Sequence, residues 1–207
     1  MADRLRGEER QRCRVASLAA RIVYNFSMLY RREISSPLGS LIVLADAKAV
    51  RLIDFHDRRD IDAAMAKLAG AGQVSDDATP LLERACAELS AYFAGESASF
   101  SFPLAPAGTA FQQAVWAKLL EIPPGETWSY GQQARALGNG PAVRAVARAN
   151  GQNFCCIVIP CHRVIGAGGS LTGYGGGLER KRWLLDHERK HFTANADLFA
   201  AKELANA

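Results

Sequence analysis

Residues 157–166 read IVIPCHRVIG, an apolar run broken by a proline and then by a thiol, an imidazole and a guanidinium in succession. A cysteine is an effective nucleophile only as a thiolate, and a neighbouring imidazole or cation is the usual means of lowering its pKa. His162 and Arg163 supply both beside Cys161. The run reads as a buried strand with Cys161 at its end. In an extended segment consecutive side chains point to opposite faces, so His162 is poorly placed to touch Cys161 directly, and a turn or a bridging water would have to connect them. Pro160 lacks an N–H and restricts the residue before it, which favours a break in the strand at the thiol.

A third partner comes from the last helix, expected from Leu178 to about Arg189. Leu184 and Leu185 precede Glu188 by four and three residues, so Glu188 shares their apolar face. A buried carboxylate needs a partner. His162 is the candidate, with Glu188 orienting the imidazole and stabilising it when protonated; the alternative is that Glu188 sits at a frayed helix end in water. Between thiol and helix lies GAGGSLTGYGGG, residues 166–177, with seven glycines. It has neither the Gly-Lys-Ser/Thr of a phosphate loop nor the spacing of a dinucleotide fingerprint. What remains is a loop whose backbone can approach a flat ligand, with Tyr174 available to stack or hydrogen-bond. A base lifted out of a duplex is such a ligand.

The elements that must position these groups fall into two halves. LGSLIVLADAKAVRLIDF, residues 38–55, is two apolar runs about Asp46-Ala47-Lys48 and reads as a hairpin. Thr79-Pro80 supplies an N-cap and a first-turn proline for a helix carrying Leu81, Leu82, Ala85, Leu89, Tyr92 and Phe93, closed by Gly95. Residues 100–108 have the composition of a linker. Thr109 caps the next helix, which is amphipathic through Phe111, Val115, Leu119 and Leu120 and stops at Pro123-Pro124-Gly125. A short helix from Tyr130 to Leu137, a Gly138-Asn139-Gly140 turn and a second helix from Pro141 to about Asn150 form a helix-turn-helix pattern. The second helix is slim, with alanines at 142, 145, 147 and 149, and Arg144 and Arg148, four apart, point the same way. Such a helix can enter a nucleic-acid groove closely and reach phosphates or the base stack.

The chain has 207 residues, 49% hydrophobic and 22% charged, enough for one good core or two small ones. No apolar run reaches the roughly 18–20 residues of a membrane span. The first 27 residues hold six Arg against three acids, and Arg21 cuts their best apolar stretch, so they read as a mobile tail rather than an export signal, with Met28 as a second candidate start. Five scattered cysteines, an odd number, point to a reducing compartment. Cys155 and Cys156 read as core residues. His56 has no cysteine pair beside it to make a zinc site. The net charge of +4 is uneven: residues 28–109 carry eight basic and eleven acidic side chains, residues 110–190 ten and five. The second half is therefore the candidate polyanion surface.

IPCHRVIG, with Ser129-Tyr130, VRAV at 143–146 and TGYGGGLERKRWLLDHE at 172–188, resembles the methylated-DNA–protein-cysteine methyltransferases, also called O6-alkylguanine-DNA alkyltransferases, over residues 28–188. The resemblance implies an α/β (α+β) protein: a tail at 1–27, a small α/β domain at 28–105 that is ribonuclease-H-like in the family, a helical domain at 106–190 with the helix-turn-helix and the active-site cysteine strand, and a second tail at 191–207. It implies a monomer that acts in the cytoplasm on duplex DNA containing O6-alkylguanine, with O4-alkylthymine a further candidate, and uses no cofactor or metal. Arg144 would fill the space of the extruded nucleotide, and Tyr130 would crowd a phosphate and donate to the flipped guanine. Cys161 would attack the alkyl carbon after a relay of Glu188, His162 and a water removes its proton. Tyr174 and the Gly175 amide would line the base pocket. Asn153 would tie the recognition helix to the cysteine strand, and Gln112 and Asn139 match further DNA-contact positions. The thioether product would not hydrolyse, so each molecule would act once.

Some residues depart from the family pattern. Asn153-Phe154 stands where Asn-Pro is usual, so the turn before Cys161 is expected to be less rigid, and Gly175 replaces a serine found in some members. The zinc ligands of some animal members have no equivalents. Two other readings stay open: a damage sensor that binds modified DNA without transfer, against which Cys161 itself speaks, and a cysteine hydrolase using Cys161, His162 and Glu188, against which Arg144 in its alanine-rich helix speaks.

Overall fold

The computed structural model describes residues 28–193; the two tails read from the sequence lie outside it, apart from residues 191–193. The first half is a four-stranded sheet in the order β3-β2-β1-β4. β1 (Met28–Ile34), β2 (Leu41–Ala45) and β3 (Val50–Phe55) form an antiparallel meander, and β4 (Gln73–Ser75) returns parallel to β1 after helix α1 (Ile61–Ala69). The hairpin at 38–55 is thus β2–β3, with the Asp46 carboxylate closing its turn on the amides of Lys48 and Ala49. β2 reads LIVLA without alternation because both faces of the sheet are covered. Leu41, Val43 and Ala45 pack on α2 (Pro80–Phe93) through Leu82, Ala85, Leu89 and Tyr92. Ile42 and Leu44 pack with Leu29 and Leu52 against Ile61 and Leu68 of α1.

The second half comprises α3 (Ala110–Leu119), α4 (Tyr130–Ala136), α5 (Val143–Gly151) and α6 (Leu178–Phe192), with β5 (Trp128–Ser129) and β6 (Val164–Ile165) as a small parallel pair. Thr109 and Ser129 each close a capping box, with Gln112 and Gln132 reaching back to the cap amide. Buried side chains lock the helix-turn-helix together. Gln133 of α4 and Asn150 of α5 exchange amide hydrogen bonds, Gln133 also donates to Val115 O, and Trp116 Nε1 donates to Ala149 O. Pro141 lies in a 3₁₀ turn, Gly140–Ala142, so α5 starts two residues later than the proline suggests.

Three expectations need correction. The apolar run before Cys161 is not a strand: Cys155 makes one isolated bridge to Ile53, after which the chain turns, with Ile157 at φ 71 and Ile159 N donating to Cys155 O. The run is apolar because it plugs two cores. Cys156, Ile157 and Val158 pack with the sheet and α2, whereas Cys155, Ile159 and Cys161 pack with α3 and α5. The segment read as a linker is fastened beside β3, since Val50 N donates to Pro103 O and Ala105 N to Val50 O. The last helix runs three residues beyond Arg189, to Phe192.

Candidate active site

Cys161 opens a 3₁₀ turn, Cys161–Arg163, and all three side chains are buried. The turn replaces the extended geometry expected from the sequence, in which His162 is poorly placed to touch Cys161 directly. Asn153, just beyond α5, donates from Nδ2 to Ile159 O at 2.9 Å and to Cys161 Sγ at 3.2 Å, while its Oδ1 accepts from Cys155 N at 2.9 Å. One side chain therefore holds both ends of the plug and touches the thiol. Burial pushes the Cys161 thiol up to about 11 despite the Asn153 hydrogen bond and the charges of Arg58 and Lys181, so the resting sulfur keeps its proton.

His162 is fully buried, and its Nε2 lies 2.8 Å from Glu188 Oε1. The Glu188 carboxylate is crowded with donors: Arg163 gives Nε to Oε2 at 2.9 Å and Nη2 to Oε1 at 2.8 Å, Tyr92 gives its hydroxyl to Oε1 at 2.9 Å, and Gly125 gives its amide to Oε2 at 3.0 Å. Gly125 takes φ 78 to aim that amide, and a Cβ there would strike Thr193. Burial alone would raise the Glu188 carboxyl, but His162 and Arg163 outweigh it and hold it well below the usual range. An ionised carboxylate only accepts, so His162 Nε2 is the donor and Nδ1 carries the lone pair. Burial keeps the imidazole below its ordinary pKa against the pull of Glu188, with Arg163 and Lys181 acting in the same direction as burial. The result is a neutral imidazole whose basic nitrogen has no protein partner among the described residues.

Tyr174 packs between the two cores, its ring edge-on to His162 with centroids 6.5 Å apart, and its buried hydroxyl likewise has no protein partner among the described residues. Gly175 and Gly176 follow; a Cβ on Gly175 would lie 3.0 Å from the Arg58 guanidinium, and one on Gly176 2.9 Å from Phe55. Tyr130 sits at the first position of α4 and donates its hydroxyl to the carbonyls of Thr172 and Gly173, both at 3.2 Å. Arg144 and Arg148 are exposed on α5, opposite its buried Val146, Ala149 and Asn150. Asn139 is exposed in the turn between α4 and α5. Gln112 is committed to its capping box and donates to Gln152 Oε1 at 2.8 Å.

The structure thus brings Cys161, His162, Glu188 and Asn153 together in the interior with the half-buried Tyr174 packed against them, and leaves Arg144 and Asn139 exposed. Three further side chains, Tyr92, Lys181 and Arg58, carried no signal as site residues in the sequence, and Arg163 showed only as a cation beside Cys161. Arg163 and Tyr92 complete the shell around Glu188, Lys181 is fully buried behind the loop, and Arg58 reaches across from the first half. Arg58 bonds to Asp54 at 2.5 Å, to Asn153 O at 2.7 Å and to Gly151 O at 2.8 Å, and its guanidinium stacks 3.9 Å above the Phe154 ring. The turn after α5 is therefore anchored by Phe154 and Arg58 together. Among the described residues no cluster of side chains could hold a metal ion, and no helix is long and apolar enough to cross a membrane.

Comparison with known proteins agrees with this architecture. Residues 29–106 match the ribonuclease-like domain of 6-O-methylguanine DNA methyltransferase, and residues 110–190 match its DNA binding domain. The chain belongs to the O6-methylguanine DNA methyltransferase family. It is 41% identical over 172 residues to the methylated-DNA–protein-cysteine methyltransferase of Mycobacterium leprae, covering 83% of this chain and 99% of that one. The crystal structure of the Mycobacterium tuberculosis O6-methylguanine methyltransferase matches with a TM-score of 0.70 at 41% identity, again over 83% and 99% of the two chains. The M. tuberculosis protein in complex with DNA matches with a TM-score of 0.69 at 40% identity and the same coverage.

Proposed function

We propose that this protein repairs duplex DNA by moving the alkyl group of O6-alkylguanine directly and irreversibly onto Cys161. The observation that carries the reading is the buried Cys161 thiol, held by Asn153, beside a neutral imidazole fixed on Glu188. His162 Nδ1 takes the thiol proton through a water, and Glu188 stabilises the imidazolium that forms. The thiolate attacks the alkyl carbon, the C–S bond forms as the C–O6 bond breaks, and the guanine leaves as its anion or takes up a proton. The product is a neutral thioether that offers no hydrolysable bond, so one molecule repairs one lesion. α5 enters the minor groove, Arg144 occupies the place of the extruded nucleotide, and Tyr130, Tyr174 and the Gly175 amide line the pocket for the base. Asn139 and Gln112 contact the DNA at the edge of this footprint. The protein works as a monomer in the cytoplasm, where its thiols stay reduced.

The test is the intact mass of the protein after incubation with a duplex carrying one O6-methylguanine, followed by peptide mapping. One methyl per protein, located on Cys161 and saturating there, is expected; Cys161→Ala should bind the duplex and gain no methyl. Stoichiometric methylation of that variant would remove Cys161 as the acceptor. An unchanged wild-type mass with tight binding would make the protein a damage sensor.

A further inference from the structure

Lys181 takes no part in the reaction just described, yet its side chain is fully buried and no carboxylate of the described residues pairs with it. It lies seven residues before Glu188 on the same buried face of α6, about 10 Å along the axis. Its Nζ donates to Val164 O at 2.6 Å, to Thr172 O at 2.7 Å and, more weakly, to Gly173 O at 3.5 Å. Val164 directly follows the turn bearing Cys161, and Thr172-Gly173 belong to the glycine-rich loop just before Tyr174. The Tyr130 hydroxyl caps the same two loop carbonyls, and its ring centroid is 6.0 Å from Nζ. A Cβ on Gly173, which has φ +51, would lie 3.2 Å from that hydroxyl, so the loop is fitted closely to the pair.

We propose that Lys181 is a positioning residue, an ammonium latch that ties the loop at 166–177 to the Cys161 turn and whose charge favours the attacking thiolate. The inference rests on the transferase reading given above. Three carbonyls converge on one nitrogen, and only the protonated amine has three N–H groups to give. Charge coupling runs between Lys181 and Cys161, each favouring the ionised form of the other. Burial lowers Lys181 to about 8, so the latch is closed at neutral pH and opens on the alkaline side. The other groups facing it titrate elsewhere. On the turn, burial holds His162 below its ordinary value and Cys161 at about 11; on α4, burial raises Tyr130; and Asp54 and Arg58, which act through Cys161, are ion-paired to each other. Thiol ionisation alone would make transfer faster as pH rises. Loss of the latch makes it slower, so the two have opposite signs.

The experiment measures single-turnover transfer from an O6-methylguanine duplex between about pH 6.5 and 9.5 for the wild type, Lys181→Arg and Lys181→Gln, with duplex affinity followed at each pH. In parallel, the lysine side-chain carbons of the wild-type protein are titrated by NMR. The expected result is a wild-type rate that falls roughly tenfold above about pH 8 in step with one titrating lysine, at constant affinity. Lys181→Arg should hold its rate across the same range and Lys181→Gln should be slow throughout. A wild-type rate that stays level or rises while that lysine titrates would overturn the proposal, as would the absence of any lysine titrating in the range. If an arginine cannot be accommodated at 181, the two wild-type curves decide by themselves. If the wild type transfers no methyl at any pH, the transferase reading fails; the latch then stands only if the Gly173 amide resonance shifts with the Lys181 titration.

Discussion

Glu188 accepts from four residues that come from three separate parts of the chain, and the balance among them sets the chemistry of His162. Arg163 supplies the counter-charge, which leaves the imidazole free to be neutral. Arg163→Met should therefore raise the His162 pKa, because the imidazolium becomes the one cation in contact with a buried carboxylate. The expected outcome is a loss of transfer rate near neutral pH that recovers as pH rises, with the His162 ring titrating at higher pH by NMR. An unchanged titration would mean that Arg163 acts on packing alone. Cys161, His162 and the facing position of Glu188 were legible in the sequence because adjacency and helical spacing are local facts. Arg163 was legible as a cation beside Cys161 but its pairing with Glu188 was not, since an arginine in an apolar run shows its partner only when the chain folds. Lys181 was read past for a related reason: a lysine in a charged helix looks like a solvated one.

The same distinction holds for elements. Thr79 and Thr109 announce two helix starts through their own side chains, and the β2–β3 hairpin shows as two apolar runs about Asp46. β1, α1 and β4 escaped, because MLYRREI and QVS are short or polar and gain strand geometry from β2 and from each other. The run before Cys161 was misread because long-range burial, rather than strand pairing, explains its composition. α5 presents Arg144 to solvent near its first turn, so Arg144→Ala should slow repair of duplex DNA far more than reaction with free O6-alkylguanine, compared as second-order rates. Equal losses on both would remove its role in extrusion. The turn after α5 depends on Arg58, and Arg58→Met leaves Asp54 buried without its partner, which should cost about 3–5 kcal/mol in denaturant unfolding. Asp54→Asn combined with Arg58→Met should recover part of that loss.

At the scale of the whole molecule, the buried titratable groups define a pH range of stability. His162 and His187 are depressed by burial, so the unfolded chain binds more protons than the folded one as pH falls through 6.5, and stability drops on that side. Cys86, Cys155, Cys156 and Cys161 are raised by burial, so above about 9.0 unfolding releases their protons and stability drops again. Lys181 acts in the opposite sense between about 8 and 10.5, but the four thiols outnumber it. Urea unfolding across this range should show a level midpoint from about pH 6.5 to 8, a small rise between about 8 and 9 from Lys181 and a fall on either side, and a midpoint independent of pH would contradict the burial of these groups. The protonated, enclosed Cys161 also bears on how the molecule survives until it is used. A reagent consumed in a single event is wasted by any stray electrophile that reaches it first, and dissolved electrophiles select for exposed thiolates. On the proposed single-use chemistry, keeping the sulfur protonated and 7% exposed would make the molecule a poor scavenger in free solution and reserve its reaction for a base delivered into the site.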